Sequence, residues 1–168
     1  FAAKIFRGAA SSGKNLDGWF WGFKLHLIIN DNMQIESIRI TGGSTSDINA
    51  LDEAFTKKIS GFLVGDKGYL SKKKAATLAK RGITLITKPR KNMKQYPTTS
   101  TQRYLLSQRQ KIEGVFGSLK HRLLLISRVA RSPQGFFMGV FSALLYYMFD
   151  DVCLKKIGFE PLIAGFIS

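Results

Sequence analysis

The chain has 168 residues, with 26 Lys or Arg against 11 Asp or Glu, for a net charge of +15. At 45% hydrophobic residues it can build one domain with a real core, which excludes a disordered basic tail, and its charge points to nucleic acid before an anionic membrane surface. A lone cysteine, Cys153, excludes an intrachain disulfide and a cysteine-based zinc site, and fits a reducing, cytoplasmic setting.

The opening FAAKIFRGAA holds neither a signal-peptide core nor an initiator Met, so the chain is expected to begin partway through a longer reading frame. GAASSGKN, residues 8–15, approaches a phosphate-binding P-loop. No apolar strand precedes it, and Asn15 stands where the Mg²⁺-binding hydroxyl belongs, so it reads as a loop. GWFWGFKLHLIIN, 18–30, alternates as a strand, DN at 31–32 marks a turn, and QIESIRIT at 34–41 alternates again, giving a hairpin. Ser46 or Asp47 caps an expected helix over 48–58. A strand at 62–65, a helix at 71–81 between Ser71 and Gly82, and a strand at 83–87 form a crossover unit, which predicts a parallel pair. KPRKNMKQYPTTST is a basic loop, followed by a long amphipathic helix over 101–126 and a last helix over 134–154. The uncharged run 135–149 in that helix is shorter than the ~20 residues of a membrane span and reads as a buried core helix. The order predicts a single α/β domain over 1–168, a mixed sheet with helices packed on it.

Because acids are few, their placement is informative. Asp17, Asp31 and Asp52 read as solvated, and Asp150 and Asp151 as capping the last helix. Asp66 ends a buried strand at its carboxyl end, where α/β sheets place ligands. Glu113 lies in the basic helix, with Arg109 and Lys120 at spacings that share its face. A surface Arg109–Glu113 pair is the ordinary account of that spacing. Together, however, two acids among cations suit phosphodiester chemistry, in which divalent ions held by carboxylates meet a phosphate. His26, on a face with Lys24, reads either as a hydrogen-bonded sheet histidine or, with Lys24, as a phosphate contact beside the site.

GWFWGFKLHLIIN, GGSTSDINAL, LVGDKGYLSKK, GITLITKPRKNMK and IEGVFGSLK resemble the catalytic part of a bacterial insertion-sequence DDE transposase, closest to the IS982 group, over residues 4–150. The resemblance implies an RNase H-like fold, a mixed five-stranded sheet with helices on both faces. It implies metal-dependent cleavage and strand transfer at element ends, with Mg²⁺ or Mn²⁺ as cofactor, double-stranded DNA as partner, a homodimer on DNA, no membrane and a bacterial, nucleoid-associated location. By position, Asp66 is the second catalytic Asp and Glu113 the Glu, both metal ligands. Arg109 and Lys120 keep the spacing of the Y-x2-R-x3-E-x6-K signature and would contact DNA, while Leu106 stands at its Tyr position. Topology adds Lys67, Lys88, Arg90 and Lys91 as candidate backbone contacts. The family's first Asp lies on a strand upstream of this sequence, so this chain alone is expected to lack one ligand and a strand, and to be inactive. The alternatives are a non-catalytic basic DNA-binding remnant and another RNase H-like nuclease.

Overall fold

The computed structural model describes residues 2–15, 18–88, 99–122 and 132–156. A short helix, α1 (Ala2–Ile5), precedes three antiparallel strands, β1 (Ser11–Asn15), β2 (Gly18–Ile29) and β3 (Ile35–Gly42). The first part of β2 pairs with β1, ending at Ser11↔Gly22, and the remainder pairs with β3 from Phe23↔Gly42 onward. The predicted hairpin is therefore present, its turn closed by Asn30 Oδ1, which accepts from the backbone N–H groups of Asn32 and Gln34. β1 departs from the loop expected there. Its residues are polar and show no apolar alternation, but Gly13 lets it press against the Phe20 ring and Gly43, where a Cβ would come within 2.5–2.6 Å.

The second ladder is the parallel pair β4 (Gly61–Gly65) and β5 (Ile83–Thr87), as the crossover predicts. A 3₁₀ turn (Lys67–Tyr69) and α3 (Lys72–Ala79) connect them. Ser71 caps α3 by accepting from the Lys74 N–H, and Gly82, at φ 74°, turns the chain into β5.

Two helices differ from expectation. The helix expected over 48–58 shrinks to one turn, α2 (Asp47–Ala50). Beyond it, the Asp52 carboxylate accepts from the Phe55 N–H, and Arg81 donates to both Oγ1 and the carbonyl of Thr56. These bonds satisfy the segment without a helical ladder. The expected helix over 101–126 is instead α4 (Ser100–Ser107), a turn at Gln108–Arg109, α5 (Gln110–Gly117) and a π turn (Ser118–Arg122), with 123–126 outside the described residues. The last helix, α6 (Pro133–Lys156), slightly exceeds its expected bounds.

The core explains the near-continuous apolar run of β2, which is covered on both faces. Leu27 and Ile29 pack with Ile112, Val115 and Leu119 and with Val140 and Leu144 of α6. Ile28, from the opposite face, packs with Leu51, Phe55, Leu63, Leu78 and Ile83. The rings of Phe6, Phe23, Phe136 and Phe137 join the amino-terminal segment to α6, with centroids 5.2–5.7 Å apart. α6 is thus a core helix on one face, while Met138, Phe141, Leu145 and Tyr146 are exposed on it. No described helix is long and apolar enough to cross a membrane.

The chain is a mixed α/β structure, but its strands form two ladders and not one continuous sheet. Among the described residues, the stretch from Lys24 to Ile29 pairs only with β3, and β4 pairs only with β5. Between them runs a groove of about 520 Å³, lined by Ile28, Ile29 and Asn30 of β2 and its turn and by Phe62, Leu63 and Val64 of β4, with Arg109 also in its wall.

Candidate active site

Asp66 directly follows Gly65, the last residue of β4, and Gly65 pairs with Thr87 at the end of β5. Asp66 and Lys88 therefore leave neighbouring strands at the same, carboxyl end of the parallel pair. The Asp66 Oδ1 accepts from the Lys67 N–H at 2.6 Å and opens the 3₁₀ turn. Tyr69 then folds back over Gly65, where an added Cβ would meet the tyrosine at 3.3 Å.

Side chains of β2 hold this turn. The Tyr69 hydroxyl lies 3.0 Å from Nδ1 of His26, and Nε2 of His26 lies 2.9 Å from Oγ1 of Thr41 on β3. Two residues earlier on the same face, Lys24 donates to Oδ1 of Asp47 at 3.2 Å and to the Thr45 carbonyl at 2.9 Å. Asp47 in turn abuts Gly68, where a Cβ would come within 2.5 Å of its Oδ2. Burial lowers the His26 pKa from 6.5. Lys24 and Arg39 lower it further, and Asp47 opposes them. Burial, then the charges of Asp47 and Asp66, push the Tyr69 phenol far up. At neutral pH the histidine is therefore neutral and the phenol protonated. One ring nitrogen therefore donates and the other accepts, between the Tyr69 and Thr41 hydroxyls, each of which can take either role.

Glu113 arrives from α5, and Arg109, at the break between α4 and α5, joins the two acids. Its Nη1 lies 3.2 Å from Oδ1 of Asp66 and its Nη2 3.4 Å from Oε1 of Glu113. The ordinary i,i+4 pair is present, but the same guanidinium also holds the acid at the strand tip. Both carboxylates are thus within the span of one guanidinium. Asp66 and Glu113 are 53% and 62% exposed, while Arg109 is 19% exposed and its Nε is buried with no hydrogen-bond partner among the described residues.

Two exposed, hard-oxygen carboxylates on one guanidinium are of the type that a Mg²⁺ or Mn²⁺ ion takes, binding through one or two carboxylates with water and phosphate oxygens filling the remaining positions. Among the described residues, no group of three or more His, Cys, Asp or Glu side chains is placed to hold a metal ion.

The predicted DNA contacts divide. Lys67, Lys88 and Lys120 are exposed, the first two at the strand tips beside Asp66. The α-helical spacing that put Lys120 on the Glu113 face does not extend through the π turn at Ser118–Arg122, which rotates Lys120 off that register. Lys24 and His26 need correction as phosphate contacts. His26 is 4% exposed with both nitrogens engaged, and the Lys24 ammonium is held by Asp47 and Thr45. They brace the Asp66 turn from beneath. Arg90 and Lys91 lie outside the described residues. Tyr69 and Thr41 escaped the sequence reading, and Asp47 figured in it only as a helix cap. The available signal was the Gly-Tyr pair just after Asp66, combined with two polar residues, Lys24 and His26, on one face of an otherwise apolar strand.

A family model described as Transposase DDE domain matches residues 1–133, which takes in both ladders, both carboxylates and Arg109. The chain belongs to this family. No curated protein and no solved structure matches it. As a transposase DDE domain, the chain comes from enzymes of DNA transposition that use divalent metal and act on DNA, which accounts for the excess of Lys and Arg and for carboxylates set among them.

Proposed function

We propose that this transposase DDE domain is the catalytic core of an insertion-sequence transposase of the IS982 type, with an RNase H-like architecture and with Asp66 and Glu113 as two of its metal ligands. The observation that carries the reading is the convergence of these two acids, from a strand tip and a separate helix, on one guanidinium. The groove between β2 and β4 supports the RNase H-like part. A strand laid there would join the two ladders into one mixed sheet, with helices already on both faces, and would bring its own side chains beside Asp66.

In this reading Asp66 and Glu113 bind Mg²⁺ or Mn²⁺, which when bound activates water or a 3′ hydroxyl for in-line attack at phosphorus. Arg109 fixes a phosphate bidentately, and Lys67, Lys88 and Lys120 hold the flanking backbone. The β2 side chains keep Asp66 at the tip. Two copies of the chain bring two element ends together on DNA in the bacterial cytoplasm. A third acid of the site would come from a further strand, and without it the site does not transpose. A form with an aspartate-bearing strand in the β2–β4 groove cuts element ends with Mg²⁺ or Mn²⁺, and Asp66→Asn or Glu113→Gln abolishes the cut. Undiminished cutting by either variant refutes the assignment, as does robust end-specific cleavage by the present chain.

A second reading, a basic remnant that binds DNA without cutting it, draws on the two-acid site and the exposed lysines around it. Salt-sensitive DNA binding indifferent to Asp66→Asn, with no metal-dependent nicking by the longer form, decides for it.

A further inference from the structure

Arg109 is engaged with two acids and incompletely satisfied at the same time. Its two terminal nitrogens rest on Asp66 and Glu113, while Nε is buried and, among the described residues, donates to no acceptor. A guanidinium presents Nε–H and Nη–H as an edge matched to a phosphate, so the orphaned donor lies on an edge suited to a bidentate oxyanion. The residue also sits in the turn between α4 and α5, where its backbone N–H makes only a long 3.5 Å bond to the Leu106 carbonyl, and it borders the wide groove. Its two ion pairs reach carboxylates more than half exposed to water, so each is individually weak.

We propose that Arg109 is an exchangeable counter-ion that couples metal loading to DNA binding. The proposal rests on the reading of Asp66 and Glu113 as metal ligands. In the chain free of DNA, the guanidinium neutralises the two acids, and so competes with a divalent ion for them. A backbone phosphate offers Arg109 an acceptor for Nε and a bidentate partner in place of two single contacts. DNA thereby releases the acids, and an ion on the acids releases the guanidinium toward DNA. Each ligand favours the arrangement the other needs, and such coupling is reciprocal by thermodynamic necessity. The consequence is a site that loads its ion on DNA and holds it poorly in free solution.

The test is Mn²⁺ titration of the full 168-residue chain, by paramagnetic resonance or calorimetry, with and without a short DNA duplex. For the unaltered chain, DNA tightens Mn²⁺ binding by about fivefold or more, the usual scale of such coupling. Arg109→Gln without DNA binds Mn²⁺ about three- to tenfold more tightly, the range two partly exposed ion pairs command, and DNA then adds little. Arg109→Lys, which keeps the charge but loses the fork, retains weak Mn²⁺ binding and loses most of the coupling. Unchanged or weaker Mn²⁺ binding by Arg109→Gln, in a chain whose melting is unaltered, overturns the proposal, as does an absence of coupling in the unaltered chain. Asp66→Asn and Glu113→Gln separate this from failure of the underlying reading. If they leave Mn²⁺ binding untouched, the acids are not the ligands and both inferences fall. If they weaken it while Arg109→Gln does not strengthen it, only the counter-ion role falls.

Discussion

The His26–Tyr69 contact permits a quantitative test of how the Asp66 turn is held. Tyr69→Phe removes the hydroxyl and leaves Nδ1 of a histidine 4% exposed without its 3.0 Å partner, at a cost of about 1–2 kcal/mol. His26→Leu strands the Tyr69 O–H and also the Thr41 hydroxyl 2.9 Å from Nε2, so it costs about 2–3 kcal/mol. In the double variant the Tyr69 hydroxyl is no longer present to be stranded, and the total stays near that of His26→Leu alone. A coupling energy of about 1–2 kcal/mol follows, within the range seen for directly bonded side chains. Urea denaturation of the four proteins at pH 7.5, where the histidine is neutral, measures it. Costs that simply add, within about 0.3 kcal/mol, mean that the two groups do not share a bond and that the turn is braced some other way.

Because His26 is lowered from 6.5 on folding, the unfolded chain binds more protons between the two values, and stability rises with pH across that window. The histidine's contribution is complete above pH 6.5 and is lost as pH falls toward the folded value, and His26→Leu flattens that limb of a pH–stability curve. Asp52 is lowered from 3.8, chiefly by the Phe55 N–H and then by Arg39, so its contribution holds above that pH and disappears on further acidification. A slope that survives Asp52→Asn in the acid limb assigns it to other groups. Gly68→Ala drives a methyl into the Asp47 carboxylate and loosens the Lys24–Asp47 pair, for a loss of about 1–3 kcal/mol, which Asp47→Ala relieves when combined with it. Equal losses for Gly68→Ala with and without Asp47 contradict that mechanism. Removing Lys67 and Lys88 together reduces the slope of log K against log salt for duplex DNA by about two, and an unchanged slope places the DNA elsewhere.

Much of this architecture was legible because it rests on local periodicity. The alternation of β2 and β3 and the parallel pair around α3 follow from local periodicity and from caps such as Ser71, and α6 from its uncharged apolar run behind Pro133. What was not legible depends on partners distant in sequence. β1 has no apolar period and exists through its pairing with β2 and the room at Gly13. The 48–58 helix gave way because Arg81, from beyond α3, takes the Thr56 carbonyl. Lys24 and His26 drew attention by their alternation, but alternation assigns a face, not what covers it. Their role as braces appears only once Asp47 and Tyr69 fold onto that face. Asp66 and Glu113 were singled out as acids in basic surroundings, and their shared guanidinium depends on where α5 packs.

The two open strand borders beside the groove have a consequence for handling and for selection. Backbone N–H and C=O groups on β2 and β4 that have no ladder partner among the described residues are templates on which a second copy could add its own strand, and Phe62, 59% exposed, makes that border adhesive. The net charge of +15 opposes such an encounter, since like-charged copies repel before their borders meet. The cations that suit a DNA partner therefore also oppose polymerisation of the protein on itself, and salt, by screening them, lowers the barrier to self-association.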